Sequence, residues 1–130
     1  GATAHLWPKL RCKIYATPIT AELIREESKE KHIDITNDLK IVELNGKVSL
    51  DPFDIEYITL THSILEPNGL RIKTPAGVIL HTGDWKVDPN PLIGDEINSK
   101  RLKEIGEEGV LAMICDSTNV FSAGRSDLLL

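Results

Sequence analysis

Three apolar segments of this 130-residue chain each end in a cluster of polar residues, and this arrangement constrains the fold more than any other feature. The clusters are Thr61-His62-Ser63, His81-Thr82-Gly83-Asp84 and Asp116-Ser117-Thr118-Asn119. Each apolar segment has a length that is typical of a β-strand. Because a sheet fixes where its strands end, polar residues just beyond those ends can be held accurately enough for binding or catalysis. The sequence therefore predicts a layered fold with a candidate site at strand ends.

The remaining pattern predicts an α/β (α+β) chain in which helices and strands are mixed. Residues 2–7 read as a helix-like run, and Thr17 before Pro18 is typical of a helix start, which predicts a helix over 18–31. A further helix around Leu102 and Ile105 is expected to stop at Gly106 or Gly109. The predicted strands cover 13–16, 39–42, 48–50, 53–57, 70–74, 78–80 and 110–114, with Asn45-Gly46 as a two-residue hairpin turn.

Several of these strands carry more detailed expectations. Residues 53–57 alternate apolar with acidic residues, as in a strand whose acidic face is wet. Residues 78–80 are apolar without alternation, which predicts a strand covered on both faces, and residues 110–114 are also expected to be buried. Antiparallel pairing of 70–74 with 78–82 would bring His62 and Asp84 together.

Composition limits the class of protein. With 41% hydrophobic and 27% charged residues the chain resembles an ordinary globular domain, and its net charge of -5 argues against a surface that attracts nucleic acid everywhere. No segment approaches the ~18 apolar residues that span a bilayer, and the N-terminus lacks signal-peptide order, so we expect no membrane association and a cytoplasmic location. Cys12 and Cys115 are expected to be small buried side chains without a disulfide.

His62 and Asp84 are the candidate metal ligands. An imidazole nitrogen and a carboxylate oxygen suit Zn²⁺, Mn²⁺ or a related divalent ion, and a carboxylate can bridge two such ions. The residues alone leave simpler readings open, because a histidine at a strand end is often structural and an aspartate after Thr-Gly often forms a turn. Gly83 is expected to permit the tight backbone that this turn needs.

Two further residues are candidates for supporting roles. His81 could orient Asp84 or a ligand, although it could equally be a buried, hydrogen-bonded histidine. Asp116 could fix the tautomer of a partner imidazole, although a cluster such as Asp-Ser-Thr-Asn commonly just caps a strand. His5 and His32 lie on helix-like segments without a matching ligand, and we expect them to be surface or packing residues.

Taken together, longer stretches carry a family resemblance. The segments "AHLWPKLRCKIYATPITAELI", "THSI", "RIKTPAGVILHTGDWKVDPNPLIG" and "EIGEEGVLAMICDSTN" occur here in the order seen in ribonuclease J-like proteins. The chain thus resembles the β-CASP branch of the metallo-β-lactamase superfamily over nearly its whole length. The resemblance implies part of an αββα sandwich, with a mostly antiparallel or mixed sheet, flanking helices and a dinuclear Zn or Mn site.

The same resemblance assigns roles to individual residues. It implies that His62 is the metal-binding histidine after the family's HxHxDH cluster, that Asp84 bridges both ions, and that Asp116 is the acidic residue of "DSTN". His81 is then a supporting group near Asp84. The implied reaction is hydrolysis of an RNA phosphodiester by metal-activated water.

The departures from the family pattern shape the remaining expectations. The HxHxDH cluster, the β-CASP domain and a later metal-binding histidine are missing from the sequence. We expect a partial metallo-β-lactamase domain over 1–120 and a truncated or frameshifted tail over 121–130. Two ligands are too few for a catalytic site, so we expect no activity from the chain alone unless a complementing chain supplies the rest. The alternative is a non-catalytic folded remnant or self-associating module, without metal, that forms a homo-oligomer.

Overall fold

A computed structural model describes residues 2–118 and 120–121 of the chain. It divides into two compact units, residues 1–46 and 47–130. Each unit contains both helix and strand, which confirms the mixed α+β class. The expected change from domain to tail at residue 121 falls at the end of the described residues and stays a prediction, as does the αββα sandwich.

The first unit builds a small core between two helices and a two-stranded sheet. Its elements are α1 (Thr3–Leu10), β1 (Ile14–Ala16), α2 (Pro18–Glu30) and β2 (Leu39–Ile41), and β1 pairs with β2 in parallel. The buried cluster consists of Trp7, Ala16, Ala21, Ile24, Ile35 and Leu39. Helix α2 begins at Pro18 as predicted, although the Thr17 hydroxyl bonds the Thr20 hydroxyl instead of capping a backbone amide.

The predicted Asn45-Gly46 hairpin is wrong. Strand β2 is paired with β1, and the strand after the turn pairs with the next strand along the chain. Asn45 does adopt a left-handed conformation, with φ +58°, and the Gly46 amide bonds the Glu43 carbonyl at 2.8 Å. The dipeptide therefore forms a tight turn, as its residue types favour, but pairing elsewhere decides that this turn joins no hairpin.

The second unit is a five-stranded mixed sheet with one helix. Its elements are β3 (Lys47–Leu50), β4 (Phe53–Thr59), β5 (Asn68–Thr74), β6 (Gly77–His81), α3 (Ser99–Glu108) and β7 (Ala112–Ile114). The strand order follows the chain, and all pairs are antiparallel except β6 with β7, which is parallel. The predicted antiparallel pairing of 70–74 with 78–82 is confirmed for residues 78–81, with Leu70 opposite His81, while Thr82 lies beyond the end of β6.

The two faces of this sheet differ sharply. Cross-strand neighbours on one face form the row Lys47, Glu56, Arg71, Leu80 and Met113. The adjacent row on the opposite face is Val48, Ile55, Ile72, Ile79 and Ala112, which is apolar across all five strands. Helix α3 packs on the first face, because Leu102 and Ile105 join the buried cluster with Ile58, Val78 and Leu80.

The expectation of a wet acidic face on β4 is wrong at Glu56. This side chain is buried at 7% exposure, whereas the apolar Phe53 is 43% exposed. The cause is a two-point ion pair, in which Arg101 of α3 donates Nε to Glu56 Oε1 at 2.7 Å and Nη2 to Oε2 at 2.8 Å. The carboxylate can be buried because its charge and its lone pairs are both satisfied.

Three burial predictions also need correction. Val78 is buried but Ile79 and Leu80 are only partly so, and all of β7 is exposed. Strand β7 has a hydrogen-bonded neighbour, β6, on one side only among the described strands, so it is an edge strand of this sheet. Cys12 and Cys115 are exposed free thiols, because each follows the end of an exposed segment instead of entering a core. No helix among the described residues is long and apolar enough to cross a membrane.

We predict that Arg101→Met lowers the free energy of unfolding by about 2 kcal/mol, because it leaves the buried Glu56 carboxylate without its partner. Lys103→Met is the matched control on the same helix, since the Lys103 pair with Glu107 is exposed on both sides, and we expect a loss of no more than about 0.5 kcal/mol. Urea denaturation measures both, and equal losses in the two variants would contradict the assignment.

The same pair gives a pH dependence. The hydrogen bond from Arg101 holds the pKa of Glu56 below its ordinary value of 4.5, so its stabilisation is complete above that value and declines as pH falls through the folded-state pKa. In Arg101→Met this part of the acid destabilisation should disappear. If the difference in free energy of unfolding between wild type and Arg101→Met stays constant from neutral pH to pH 3, this prediction is refuted.

Candidate functional site at the strand ends

The three polar clusters lie at the same edge of the five-stranded sheet. Strand β5 runs antiparallel to both β4 and β6, so β4 and β6 point the same way, and β7 is parallel to β6. The C-terminal ends of β4, β6 and β7 therefore coincide at one edge. His62 follows β4, Asp84 follows β6 and Asp116 follows β7.

His62 and Asp84 lie on segments that are joined by backbone hydrogen bonding. Thr61 forms an isolated antiparallel bridge with Lys86, and the Lys86 amide donates to the Thr61 carbonyl at 2.9 Å. His62 is partly buried, Asp84 is exposed, and the His62 Nδ1 lies 3.2 Å from the Ser63 hydroxyl. The structure thus brings the two predicted ligands to the same edge through neighbouring segments.

The Asp116 carboxylate is hydrogen-bonded within its own turn, by Thr118. The Thr118 hydroxyl donates to Asp116 Oδ1, and the Thr118 amide donates to the same oxygen at 3.0 Å. These two bonds, together with a smaller contribution from the charge of His62, hold the pKa of the Asp116 carboxyl below its ordinary value. The Thr118 hydrogen bonds are the main cause of this shift, so the turn after β7 stabilises the ionised form of the Asp116 carboxyl.

His81 hydrogen-bonds the turn that leads to Asp84, and its supporting role stays a prediction. Its cross-strand neighbours are Leu70 and Ile114, on the face opposite α3, and it is exposed. Its Nδ1 accepts the Gly83 amide at 3.1 Å, so the ring braces the turn that leads to Asp84. Gly83 has φ +62°, a left-handed conformation that fits the prediction of a tight backbone here. His5 and His32 are exposed, as expected.

Sequence reasoning missed the threonines that organise this edge. Thr61 and Thr82 are buried at 2% and 3% exposure, and the hydroxyls of Thr61, Thr82 and Thr118 all bond the strand-end segments. The signal was available, because a threonine directly precedes His62 and another directly follows His81. A buried hydroxyl needs hydrogen-bond partners nearby, so a buried threonine beside a candidate ligand predicts hydrogen bonds to the neighbouring backbone.

The donor atoms at this edge are of the right type for Zn²⁺ or Mn²⁺ but too few to close a site. Within residues 2–118 and 120–121, no group of three or more His, Cys, Asp or Glu side chains is arranged to hold a metal ion. A catalytic zinc site typically uses three protein ligands and water. His62 and Asp84 could therefore supply part of a metal site, and their assignment as ligands stays a prediction.

Comparison with known proteins gives a consistent family. The chain is 41% identical over 130 residues to ribonuclease J of Sinorhizobium meliloti, covering 97% of this chain and 22% of the relative. It is 38% identical to ribonuclease J of Helicobacter pylori and 31% identical to that of Methanocaldococcus jannaschii, each over 97% of this chain. This sequence matches one segment of ribonuclease J.

The match is extensive for this chain and limited for the ribonuclease J relatives. The chain spans 22%, 18% and 29% of the lengths of those three proteins. No protein-family model matches it. The resemblance to ribonuclease J-like proteins that the ordered motifs predicted is thereby confirmed for this segment.

We predict that Thr118→Val raises the pKa of the Asp116 carboxyl toward its ordinary value, because the variant removes the hydroxyl donor and retains the backbone one. Thr118→Ser keeps a hydroxyl and should leave the pKa low. An NMR titration of the Asp116 carboxyl carbon measures both variants. Indistinguishable titration midpoints in wild type and Thr118→Val would show that the hydroxyl has no such influence.

Proposed function

We propose that the chain is a segment of a ribonuclease J-like hydrolase of the metallo-β-lactamase fold. In this proposal His62 and Asp84 are metal ligands of a dinuclear Zn or Mn site, Asp116 and His81 are supporting groups, and RNA is the substrate. The observation that carries it is the convergence of three strand ends bearing those residues, in a chain that matches ribonuclease J.

The sheet itself supports the sandwich part of the proposal. In an αββα sandwich each sheet has helices on one face and the other sheet on its inner face, and that inner face must be apolar. Here α3 packs on the face that carries Glu56 and Leu80. The opposite face carries the apolar row from Val48 to Ala112.

The chemistry of the proposal divides between the metal and the side chains. When bound, the ions would lower the pKa of a water molecule and stabilise the charge that develops on the phosphate. The His62 imidazole and the Asp84 carboxylate would hold the metal. The Asp116 carboxylate is anionic at neutral pH and could orient the His62 ring, while His81 keeps the Gly83 turn in place. Two protein ligands do not close such a site, so we propose that this chain is inactive by itself.

We also propose that the chain is cytoplasmic.

A chimera tests this function directly. We expect that Sinorhizobium meliloti ribonuclease J, with its matching segment replaced by this chain, still cleaves RNA and retains bound metal. His62→Ala and Asp84→Ala in the chimera should each lower cleavage about a hundredfold or more and reduce the metal content, because each removes a ligand. His5→Ala is the matched control, because His5 is an exposed histidine of α1, in the first unit. A folded chimera that is active without His62 or Asp84 would refute their roles.

A second candidate function, self-association without metal, is favoured by the apolar face of the sheet. Leu50 and Phe53 are cross-strand partners on that face, and they are 37% and 43% exposed. Exposed apolar side chains in a continuous row favour association with a complementary surface. In this reading the chain is a folded module that pairs with a second copy.

For this second function we predict that Phe53→Ser raises the dissociation constant of self-association by at least about tenfold, because it removes an exposed aromatic side chain from the contact surface. Leu23→Ser is the control, because Leu23 is an exposed leucine on α2, in the first unit. Light scattering with size-exclusion chromatography measures the mass. A monomeric wild type at high micromolar concentration would exclude self-association.

A further inference from the structure

Two buried threonine hydroxyls connect the three strand-end segments to one another. Thr61 directly precedes His62, and Thr82 lies between His81 and Gly83. Both side chains are almost completely excluded from solvent. Each hydroxyl donates one hydrogen bond to a backbone carbonyl and accepts one from a backbone amide.

Thr61 fastens the segment after Asp84 beside His62. Its hydroxyl donates to the Lys86 carbonyl and accepts the Asp88 amide at 3.2 Å. Its own carbonyl accepts the Lys86 amide at 2.9 Å. Three hydrogen bonds from one residue therefore fix the backbone of residues 86–88 against the end of β4. These bonds restrict where Asp84, two residues before Lys86, can lie relative to His62.

Thr82 fastens the turn before Asp84 to the segment that carries Asp116. Its hydroxyl donates to the Gly83 carbonyl at 2.8 Å and accepts the Asp116 amide at 3.3 Å. Its amide donates to the Ile114 carbonyl at 2.9 Å. The Thr82 side chain thus continues the pairing of β6 with β7 by one step, beyond the last paired residues. Asp116 is held at a fixed place along that edge as a result.

We propose that Thr61 and Thr82 are positioning residues that set the relative places of His62, Asp84 and Asp116 before any metal or substrate binds. They act through the backbone, with hydroxyls that satisfy amides and carbonyls which the sheet leaves unpaired. That the positioned residues form part of a metal site rests on the proposed function. The strand ends would be preorganised by the two threonines whether or not this chain binds metal.

Thr74 provides a matched control at the opposite end of the β5–β6 hairpin. Its hydroxyl also bonds backbone atoms only: it donates to the Gly77 carbonyl at 2.9 Å and accepts the Ala76 and Gly77 amides at 3.1 and 3.2 Å. Thr74→Val therefore removes a hydroxyl with the same type of bonding, away from the strand ends. This variant shows the effect of removing a backbone-bonded hydroxyl elsewhere in the sheet, so any additional effect of Thr61→Val or Thr82→Val is specific to the strand ends.

Amide hydrogen exchange in the metal-free chain is the first measurement. We expect slow exchange at the Asp88 and Asp116 amides in wild type. Thr61→Val should speed exchange at Asp88, and Thr82→Val at Asp116, by about tenfold, because valine has the shape of threonine without the hydrogen-bonding oxygen. Thr61→Ser and Thr82→Ser should restore slow exchange. Thr74→Val should speed exchange only at Ala76 and Gly77.

Titration of the same proteins with Mn²⁺ alone is the second measurement. We expect Thr61→Val and Thr82→Val to weaken Mn²⁺ binding about tenfold or more, and the serine variants and Thr74→Val to leave it unchanged. Rapid wild-type exchange at Asp88 and Asp116 that slows only on adding Mn²⁺ would overturn the proposal, as would unchanged exchange in both valine variants. If wild type binds no Mn²⁺ while the exchange results hold, the metal assignment of this chain fails and the positioning stands.

Discussion

The pairing of β5 with both of its neighbours is the constraint on which the rest of this unit depends. Because β5 is antiparallel to β4 and to β6, those two strands share a direction, and their C-terminal ends meet at one edge. The parallel pairing of β6 with β7 then requires a connection that crosses the sheet, and α3 lies within it. Two antiparallel connections and one crossover thus bring three separate polar clusters to a single edge.

The crossover helix also explains why the two faces of the sheet differ. Helix α3 covers the face that carries Glu56 and Leu80. It packs there through Leu102 and Ile105 and forms the ion pair between Arg101 and Glu56. Breaking that pair is costly because one charge would remain buried, so the pair specifies where α3 sits on the sheet. The other face has an apolar row and no charged side chain in it. Such a face is suited to another sheet or to a second copy.

Much of this arrangement could be predicted from the sequence, and the failures have physical causes. Helix α2 and the β5–β6 hairpin were predictable because Thr17-Pro18 and Pro75-Ala76-Gly77 are strong local signals. The burial of Glu56 was not, because alternation identifies which residues share a face but not which face a distant helix will cover. The predicted hairpin across Asn45-Gly46 was wrong because β2 pairs with β1, which the local sequence does not indicate. Tertiary partners outweighed a local turn preference at Asn45-Gly46.

The candidate site shows the same division between local signal and tertiary arrangement. Placing His62, Asp84 and Asp116 at strand ends needed only the order of apolar and polar residues, and the structure puts all three at one edge. How that edge is held together could not be predicted from the sequence pattern, because it depends on hydroxyls that bond backbone amides 27 and 34 residues away. His81 illustrates the limit, since its place beside Asp84 in the sequence suggests a supporting role, whereas the hydrogen bond from the Gly83 amide to its Nδ1 is visible only in the structure. The segments that carry the candidate ligands are thus held by side chains whose partners lie far away in the sequence, as Thr61 and Thr82 show.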